Sequence, residues 1–140
     1  MLNKKEQSIL NFIINEIEIE ERFVQKYVTK FTVPGRVQQE LWENFPETLL
    51  KLAPYMTLTE DVTIQMIRSK NPLFLRVVLK KSLTEDEQLC LVECCPEKLK
   101  EHQGFLDKEY DCLFPSTERA YKKAKEKNPD LPDIDYIWID

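Results

Sequence analysis

The sequence predicts an all-α fold arranged as a short helical-repeat solenoid, and two observations lead to this prediction. First, a four-residue motif, the phrase Leu-Thr-Glu-Asp, occurs twice: as Leu58-Thr59-Glu60-Asp61 and, 25 residues later, as Leu83-Thr84-Glu85-Asp86. In each copy a hydroxyl residue that can cap a helix precedes two acids, which the positive N-terminus of a helix stabilises. Second, the chain has only two glycines among 140 residues. The glycines that tight hairpin turns need are therefore scarce, whereas the many Leu, Lys, Glu and Ile residues favour helices.

The 25-residue period continues past this phrase and predicts three repeat units within residues 33–105. The apolar positions that follow the two phrases correspond pairwise, Ile64 with Leu89, Met66 with Leu91, and Ile67 with Val92. A weaker third copy begins at Val33, where Pro34 takes a first-turn position that proline tolerates. Each unit is thus expected to contain a helix of about three turns, a proline break and a shorter second helix. Three units are about the smallest stable solenoid.

The second unit resembles a known family. Asn71-Pro72-Leu73-Phe74-Leu75-Arg76, running into the phrase at Leu83, is similar to the leucine-rich repeat variant, a relative of HEAT repeats. The resemblance covers about residues 33–105 and implies an all-helical, right-handed superhelix. The third unit departs from the pattern, because Cys94-Cys95-Pro96-Glu97-Lys98-Leu99-Lys100 replaces the Asn-Pro…Leu-Arg run. Some members of that family hold an iron–sulfur cluster on four N-terminal cysteines, and the cysteine positions here do not match that cluster.

The whole chain is expected to form one domain, since a core of useful size can be buried at this length. Its predicted parts are an N-terminal helical cap (1–32), three repeats (33–105), C-terminal capping helices (106–128) and an acidic-aromatic tail (129–140). Asn3 and Glu6 have the spacing of a capping box, which predicts a helix start. In the last of the C-terminal helices, lysines dominate: Lys122, Lys123, Lys125 and Lys127.

The N-terminal cap is predicted to be one long helix over 3–31 or two helices joined near Glu20. The alternation of acids and isoleucines at 16–21 could also indicate a short strand, but no partner strand lies nearby and helix is favoured. The apolar residues after this point are expected to pack on the first repeat unit: Phe23, Val24, Tyr27, Val28 and Phe31.

Charge and hydropathy exclude several functions. The formal net charge of −5 argues against a general nucleic-acid or anionic-membrane binder. No apolar run reaches the ~20 residues that span a bilayer, and the N-terminus lacks the features of a signal peptide. These observations predict a cytoplasmic protein whose thiols stay reduced.

The four cysteines and the one histidine are Cys90, Cys94, Cys95, Cys112 and His102. Thiolates and imidazole are zinc ligands, so a metal- or redox-dependent protein is the alternative functional hypothesis. Adjacent Cys94 and Cys95 would diverge by about 100° on a helix, while Cys90 and Cys94 would supply only half a site. Structural thiols are therefore favoured, and no metal, cofactor or catalytic residue is predicted.

Two sets of repeat positions are expected to line the exposed walls of the solenoid, where such proteins bind partners. One set is Gln38, Thr63 and Gln88, and the other is Glu43, Arg68 and Glu93. Trp42 is a candidate anchor if it is exposed, although its repeat phase favours burial.

The C-terminal tail is the other candidate partner-binding segment. Large apolar residues, among them Tyr136 and Trp138, alternate with Asp133 and Asp135, as expected of an extended docking motif. The competing interpretation is that Tyr136, Ile137 and Trp138 fold back and complete the protein's own core.

The leading functional hypothesis is a non-enzymatic protein–protein interaction module. A narrower version is a small inhibitor from a phage or mobile element that blocks a basic site on a nucleic-acid enzyme with its acidic faces. The expected partner is therefore another protein with a basic surface, with no direct contact to nucleic acid or membrane.

Overall fold

A computed structural model of the chain describes residues 2–95, 122, 123, 125–127 and 129. Every regular element in these residues is a helix and none is a strand, which confirms the all-α prediction. Residues 2–95 contain α1 (Lys4–Ile17), α2 (Glu21–Lys30), α3 (Gly35–Asn44), α4 (Pro46–Leu52), α5 (Glu60–Ser69), α6 (Pro72–Val78) and α7 (Glu85–Cys94). The chain divides into two compact units, the first ending at Val62 and the second beginning at Thr63.

Several predicted features lie largely outside the described residues. They are the second helix of the third repeat, most of the C-terminal capping helices, the tail with Asp133, Asp135, Tyr136 and Trp138, and both Cys112 and His102. Of the last predicted helix, residues 122, 123 and 125–127 are described and all are helical.

Helix α1 begins at the predicted capping box. Asn3 Oδ1 accepts a hydrogen bond from Glu6 N at 2.8 Å, and Glu6 Oε1 accepts one from Asn3 N at 3.0 Å. The helix stops at Ile17, and α2 begins after Glu20, so the N-terminal region forms two helices and the strand alternative is wrong. A three-residue connection between consecutive helices lets them pack as neighbours.

The first unit is a four-helix arrangement. Helix α1 packs against α2 and α3, and α4 packs against α2 and α3, so one helix pair lies on the other. The fully or almost fully buried residues of these helices form its core: Leu10, Ile13, Ile17, Val24, Val28, Val37, Leu41, Leu49 and Leu52. Burying each such side chain stabilises the fold by about 1.5–3 kcal/mol before entropy is counted.

The helix bounds follow the period seen in the sequence. Helices α3, α5 and α7 begin at positions 35, 60 and 85 and each has ten residues. Helices α4 and α6 each have seven residues and begin with a proline. Proline disfavours helical geometry in the residue before it and lacks the amide hydrogen that a first-turn position leaves unbonded. Pro46 therefore separates α3 from α4 with only Phe45 between them, whereas Pro72 begins α6 after a two-residue connection from α5.

The repeated phrase caps helices as predicted. At α7, Thr84 Oγ1 accepts from Glu87 N at 3.2 Å and Glu87 Oε1 accepts from Thr84 N at 2.8 Å, which completes a capping box. At α5, Thr59 Oγ1 accepts from Val62 N at 3.3 Å. Helix α3 has Pro34 at the corresponding position, without a side-chain cap.

Lys70 ends α5 in a left-handed conformation, with φ of 58°. An L-residue with a Cβ atom is strained there, by about 1–2 kcal/mol. The conformation turns the chain sharply, and Asn71 Oδ1 then accepts from Leu73 N at 3.0 Å to cap α6.

Three polar residues predicted to line an exposed wall are instead buried. Gln38, Thr63 and Gln88 are only 1%, 2% and 3% exposed. The reason is visible at Gln38, whose Nε2 donates to Val33 O at 2.9 Å and to Thr57 O at 3.0 Å. Gln88 repeats the first of these bonds by donating to Leu83 O at 3.3 Å. These side chains satisfy buried backbone groups, which would otherwise cost about 1–3 kcal/mol each.

Candidate interaction surface

The other predicted wall positions are exposed. Glu43, Arg68 and Glu93 all lie at the surface, and Glu43 Oε1 accepts a hydrogen bond from Gln39 Nε2 at 2.9 Å. Trp42 is half-buried, whereas Ile67 and Val92, its counterparts in the repeat, are fully buried. Trp42 is therefore neither a core residue like its counterparts nor a fully exposed anchor.

The most unusual surface in the first unit lies on α2, and the sequence analysis did not predict it. Phe23, Tyr27 and Phe31 were expected to pack inward together with Val24 and Val28. The two valines are buried, but Phe23 and Phe31 are 53% and 59% exposed and Tyr27 is half-buried. The apolar residues of α2 therefore lie on two faces, and only the valine face contributes to the core.

The exposed aromatic residues form a continuous row with Phe12 of α1. The ring centroids of Phe12 and Phe23 lie 6.0 Å apart, and those of Phe12 and Tyr27 lie 4.9 Å apart, both with edge-to-face geometry. The rings of Tyr27 and Phe31 are 5.2 Å apart. Pairs of this kind contribute about 0.5–1.5 kcal/mol beyond their buried area, so the rings hold one another in place.

A row of cations runs beside the aromatic row. Arg22, Lys26 and Lys30 occur at intervals of four residues, so they lie on one face of α2, and all three are exposed. Each cation precedes an aromatic residue by one position, which places the two rows about 100° apart around the helix. None of the three cations forms an ion pair with another of residues 2–95, and the neighbouring Glu21 has its Oε1 3.9 Å from Lys51 Nζ. We call these two rows together the α2 outer face.

A shallow groove borders the cationic row. It has a volume of about 330 Å³ and is lined by Arg22, Gln25, Lys26, Thr29, Lys30 and Tyr55. Thr29 Oγ1 lies 2.8 Å from Gln25 O and 3.1 Å from Tyr55 O, so its proton is shared between two carbonyl acceptors. The contact with Tyr55 O holds the turn after α4 against α2 and fixes the far wall of the groove.

The cysteines of α7 form a pair rather than a cluster. Cys90 Sγ and Cys94 Sγ are 3.9 Å apart, and Cys90 is buried. Burial, reinforced by Cys94, raises the pKa of the Cys90 thiol to about 11, although the Arg68 guanidinium partly opposes this shift. Cys95 is also buried, with its Sγ 4.0 Å from Ile67 O. A thiol that stays protonated at neutral pH is a poor nucleophile and a poor metal ligand.

No group of three or more His, Cys, Asp or Glu side chains suited to a metal ion occurs among those that the structure describes. None of the described helices combines the length and the apolar character needed to cross a bilayer.

Comparison with known proteins found no matching family model, no similar curated protein and no similar solved structure.

Proposed function

We propose that this chain is a non-enzymatic protein–protein interaction module that binds its partner through the α2 outer face. One observation carries the proposal: an exposed aromatic row lies beside a row of cations that have no ion-pair partner within residues 2–95. Exposed aromatic side chains with neighbouring arginine are typical of binding hot spots. Large apolar groups that are left in water also lower solubility unless something covers them.

The scaffold of the module is a short helical-repeat array. The equal lengths and the 25-residue spacing of α3, α5 and α7 support this proposal, as do the proline starts of α4 and α6. A further support is the buried polar residue at the fourth position of each ten-residue helix, Gln38, Thr63 and Gln88. In repeat proteins such regularity gives a rigid framework on which surface residues vary with little effect on folding.

The narrower hypothesis, an inhibitor that blocks a basic site on a nucleic-acid enzyme, stays a prediction. The net charge of −5 and the exposed carboxylates of Glu43 and Glu93 support it. It would use acidic side chains, whereas the α2 outer face is locally basic.

Site-specific photo-crosslinking in the source cells tests the proposal. A photoreactive phenylalanine analogue replaces Phe23 in one version and the equally exposed Leu73 of α6 in a control version. We expect a defined protein adduct from position 23 that is absent from position 73. The proposal fails if the two positions give the same adducts, or if position 23 gives none while the protein is folded by circular dichroism.

A further inference from the structure

We propose that the α2 outer face binds an extended peptide segment in which carboxylates alternate with aromatic or aliphatic side chains. This inference rests on the proposed function and specifies the chemistry of the partner. It follows from the spacing of the cations, from the position of the aromatic row and from the groove beside them.

The spacing of the cations suits alternating carboxylates. Four residues of α-helix rise about 6 Å, so Arg22, Lys26 and Lys30 are spaced at about 6 Å along α2. In an extended chain, residues two apart are about 6.6 Å from each other and point to the same side. Three carboxylates at alternate positions therefore meet the three cations almost in register, without any rearrangement of the helix.

The aromatic row receives the other side chains of such a segment. Because successive side chains of an extended chain point in opposite directions, a segment lying along α2 directs its carboxylates to one row and its apolar groups to the other. Phe23 and Phe31 are more than half exposed and their ring neighbours hold them in place, so apolar contact costs them little ordering. The groove of about 330 Å³ at Tyr55 has room for one or two further side chains.

Charge also favours a peptide over nucleic acid or an anionic membrane. Those ligands present many negative charges, and the chain as a whole has a net charge of −5 that would repel them. The cationic row consists of three residues on one helix face, and Glu21 beside them is paired with Lys51. A short acidic segment can use this row without approaching the rest of the surface.

Asp133 and Asp135 of this chain, with Ile134 between them and Tyr136 after them, match two of the three alternating carboxylates, so a synthetic peptide with the sequence of residues 129–140 is a suitable probe. It is labelled with fluorescein at its N-terminus, and its binding is followed by fluorescence anisotropy at about 0.05 M salt, where exposed charges are weakly screened. Binding is measured with the full chain and with a version that ends at Asn128, because a chain's own C-terminus could compete with the probe. Circular dichroism establishes that each version is folded.

Variants of the surface define the expected result. Reversing the three cations together (R22E, K26E and K30E) should weaken binding at least about tenfold, as should F23A with F31A. A charge-matched control reverses three exposed cations elsewhere, Lys70, Arg76 and Lys80, and should change affinity less than about twofold. A peptide of the same composition in which Asp135 and Tyr136 are exchanged has these two aspartates three residues apart, on opposite sides of an extended segment, and should bind at least about fivefold more weakly than the probe.

The outcomes separate this inference from the proposed function. Binding of the probe to either version, with the expected losses, supports the inference. It is overturned if neither version binds, if the peptide with Asp135 and Tyr136 exchanged binds as well as the probe, or if the control variant loses as much affinity as the R22E, K26E and K30E variant. It is also overturned if single-stranded oligothymidylate or anionic vesicles bind more tightly through the same residues. A crosslink at position 23 with no peptide binding would leave the interaction module standing and reject this ligand chemistry.

Discussion

Gln38 and Thr59 are joined by a hydrogen bond in which the backbone amide of Thr59 donates to Gln38 Oε1 at 2.9 Å. With its Nε2 bonded to two carbonyl oxygens, Gln38 satisfies three backbone groups from one buried position. The loop before α3 and the loop before α5 are thus tied to the same side chain.

Replacing Gln38 with Ala should therefore destabilise the protein by about 3 kcal/mol. The substitution opens a cavity and leaves buried backbone groups without partners, at about 1–3 kcal/mol for each group that water cannot reach. Urea unfolding followed by circular dichroism measures the change. Gln39→Ala is the matched control, since that side chain is only half-buried, and it should cost about 0.5 kcal/mol or less. Equal urea midpoints for the two variants would show that the hydrogen bonds of Gln38 contribute nothing to stability.

Leu91→Ala should cost about 2–5 kcal/mol, because Leu91 is completely buried in α7. Leu89→Ala on the same helix should cost about 1 kcal/mol, since that side chain is half-buried and its replacement leaves no closed cavity. Thermal unfolding of both variants beside the parent decides the comparison. If Leu89→Ala loses more stability than Leu91→Ala, the assignment of the buried face of α7 is wrong.

Lys70→Gly should stabilise the protein. Glycine adopts the observed φ of 58° without steric cost, which removes about 1 kcal/mol of strain, although the more flexible unfolded chain offsets part of that gain. The expected net gain is about 0.5–1 kcal/mol, visible as a higher melting temperature. Lys70→Ala removes the same charge but keeps the Cβ atom, so it should give no gain. If Ala and Gly behave alike, strain at this residue is not the cause.

The stability of the protein should decrease as the pH rises toward 11, and Cys90 should account for part of the decrease. Its pKa is raised to about 11 in the folded state, from about 8.5 in an unfolded chain. Between these values the unfolded chain loses the proton that the folded protein keeps, so the free energy of unfolding falls with increasing pH. The part due to Cys90 should be on the order of 1–2 kcal/mol.

Urea unfolding at pH 8 and pH 10.5, with Cys90→Ala beside the parent, isolates this effect from the titration of lysines and tyrosines. The variant should lose less stability than the parent over that interval. Parallel losses in the two proteins would show that the Cys90 thiol titrates normally.

Much of the fold could be predicted because its signals are local. The threonine of the repeated phrase identified the starts of α5 and α7, and Asn3 with Glu6 identified the start of α1. The prolines that begin α4 and α6 indicated breaks between helices, because their effect on the backbone does not depend on the surroundings.

The α2 outer face could not be predicted from periodicity alone. Phe23 and Tyr27 are four residues apart, and so are Val24 and Val28, so either pair could face the core. The structure buries the smaller, stiff valines, which let neighbouring helices approach closely. One signal in the sequence was available. A cation directly precedes each of the three aromatic residues of α2, and a row of cations is expected at the surface.

The polar positions of the repeat were misjudged for a different reason. Gln38 and Gln88 share one phase of the repeat, and positions of that phase were expected to line an exposed wall of the solenoid. Hydrogen bonds to the loop before the same helix, Val33 O for Gln38 and Leu83 O for Gln88, offset the cost of burying them. That geometry spans five residues and crosses a helix start, so no helical or strand period reveals it.

The three bonds of Gln38 also restrict where the first unit can bend. The connection at 57–59 has no regular structure, yet its backbone is bonded to a side chain that is 1% exposed. It can open only when the surrounding core opens, so it is unsuited to act as a hinge. The connection at 18–20 is exposed, and its two amide bonds, from Ile19 and Glu20, both go to the carbonyl of Glu16 in the preceding turn. The connection between α1 and α2 thus has no comparable side-chain tie, and the contacts of Phe12 with Phe23 and Tyr27 hold these two helices together instead.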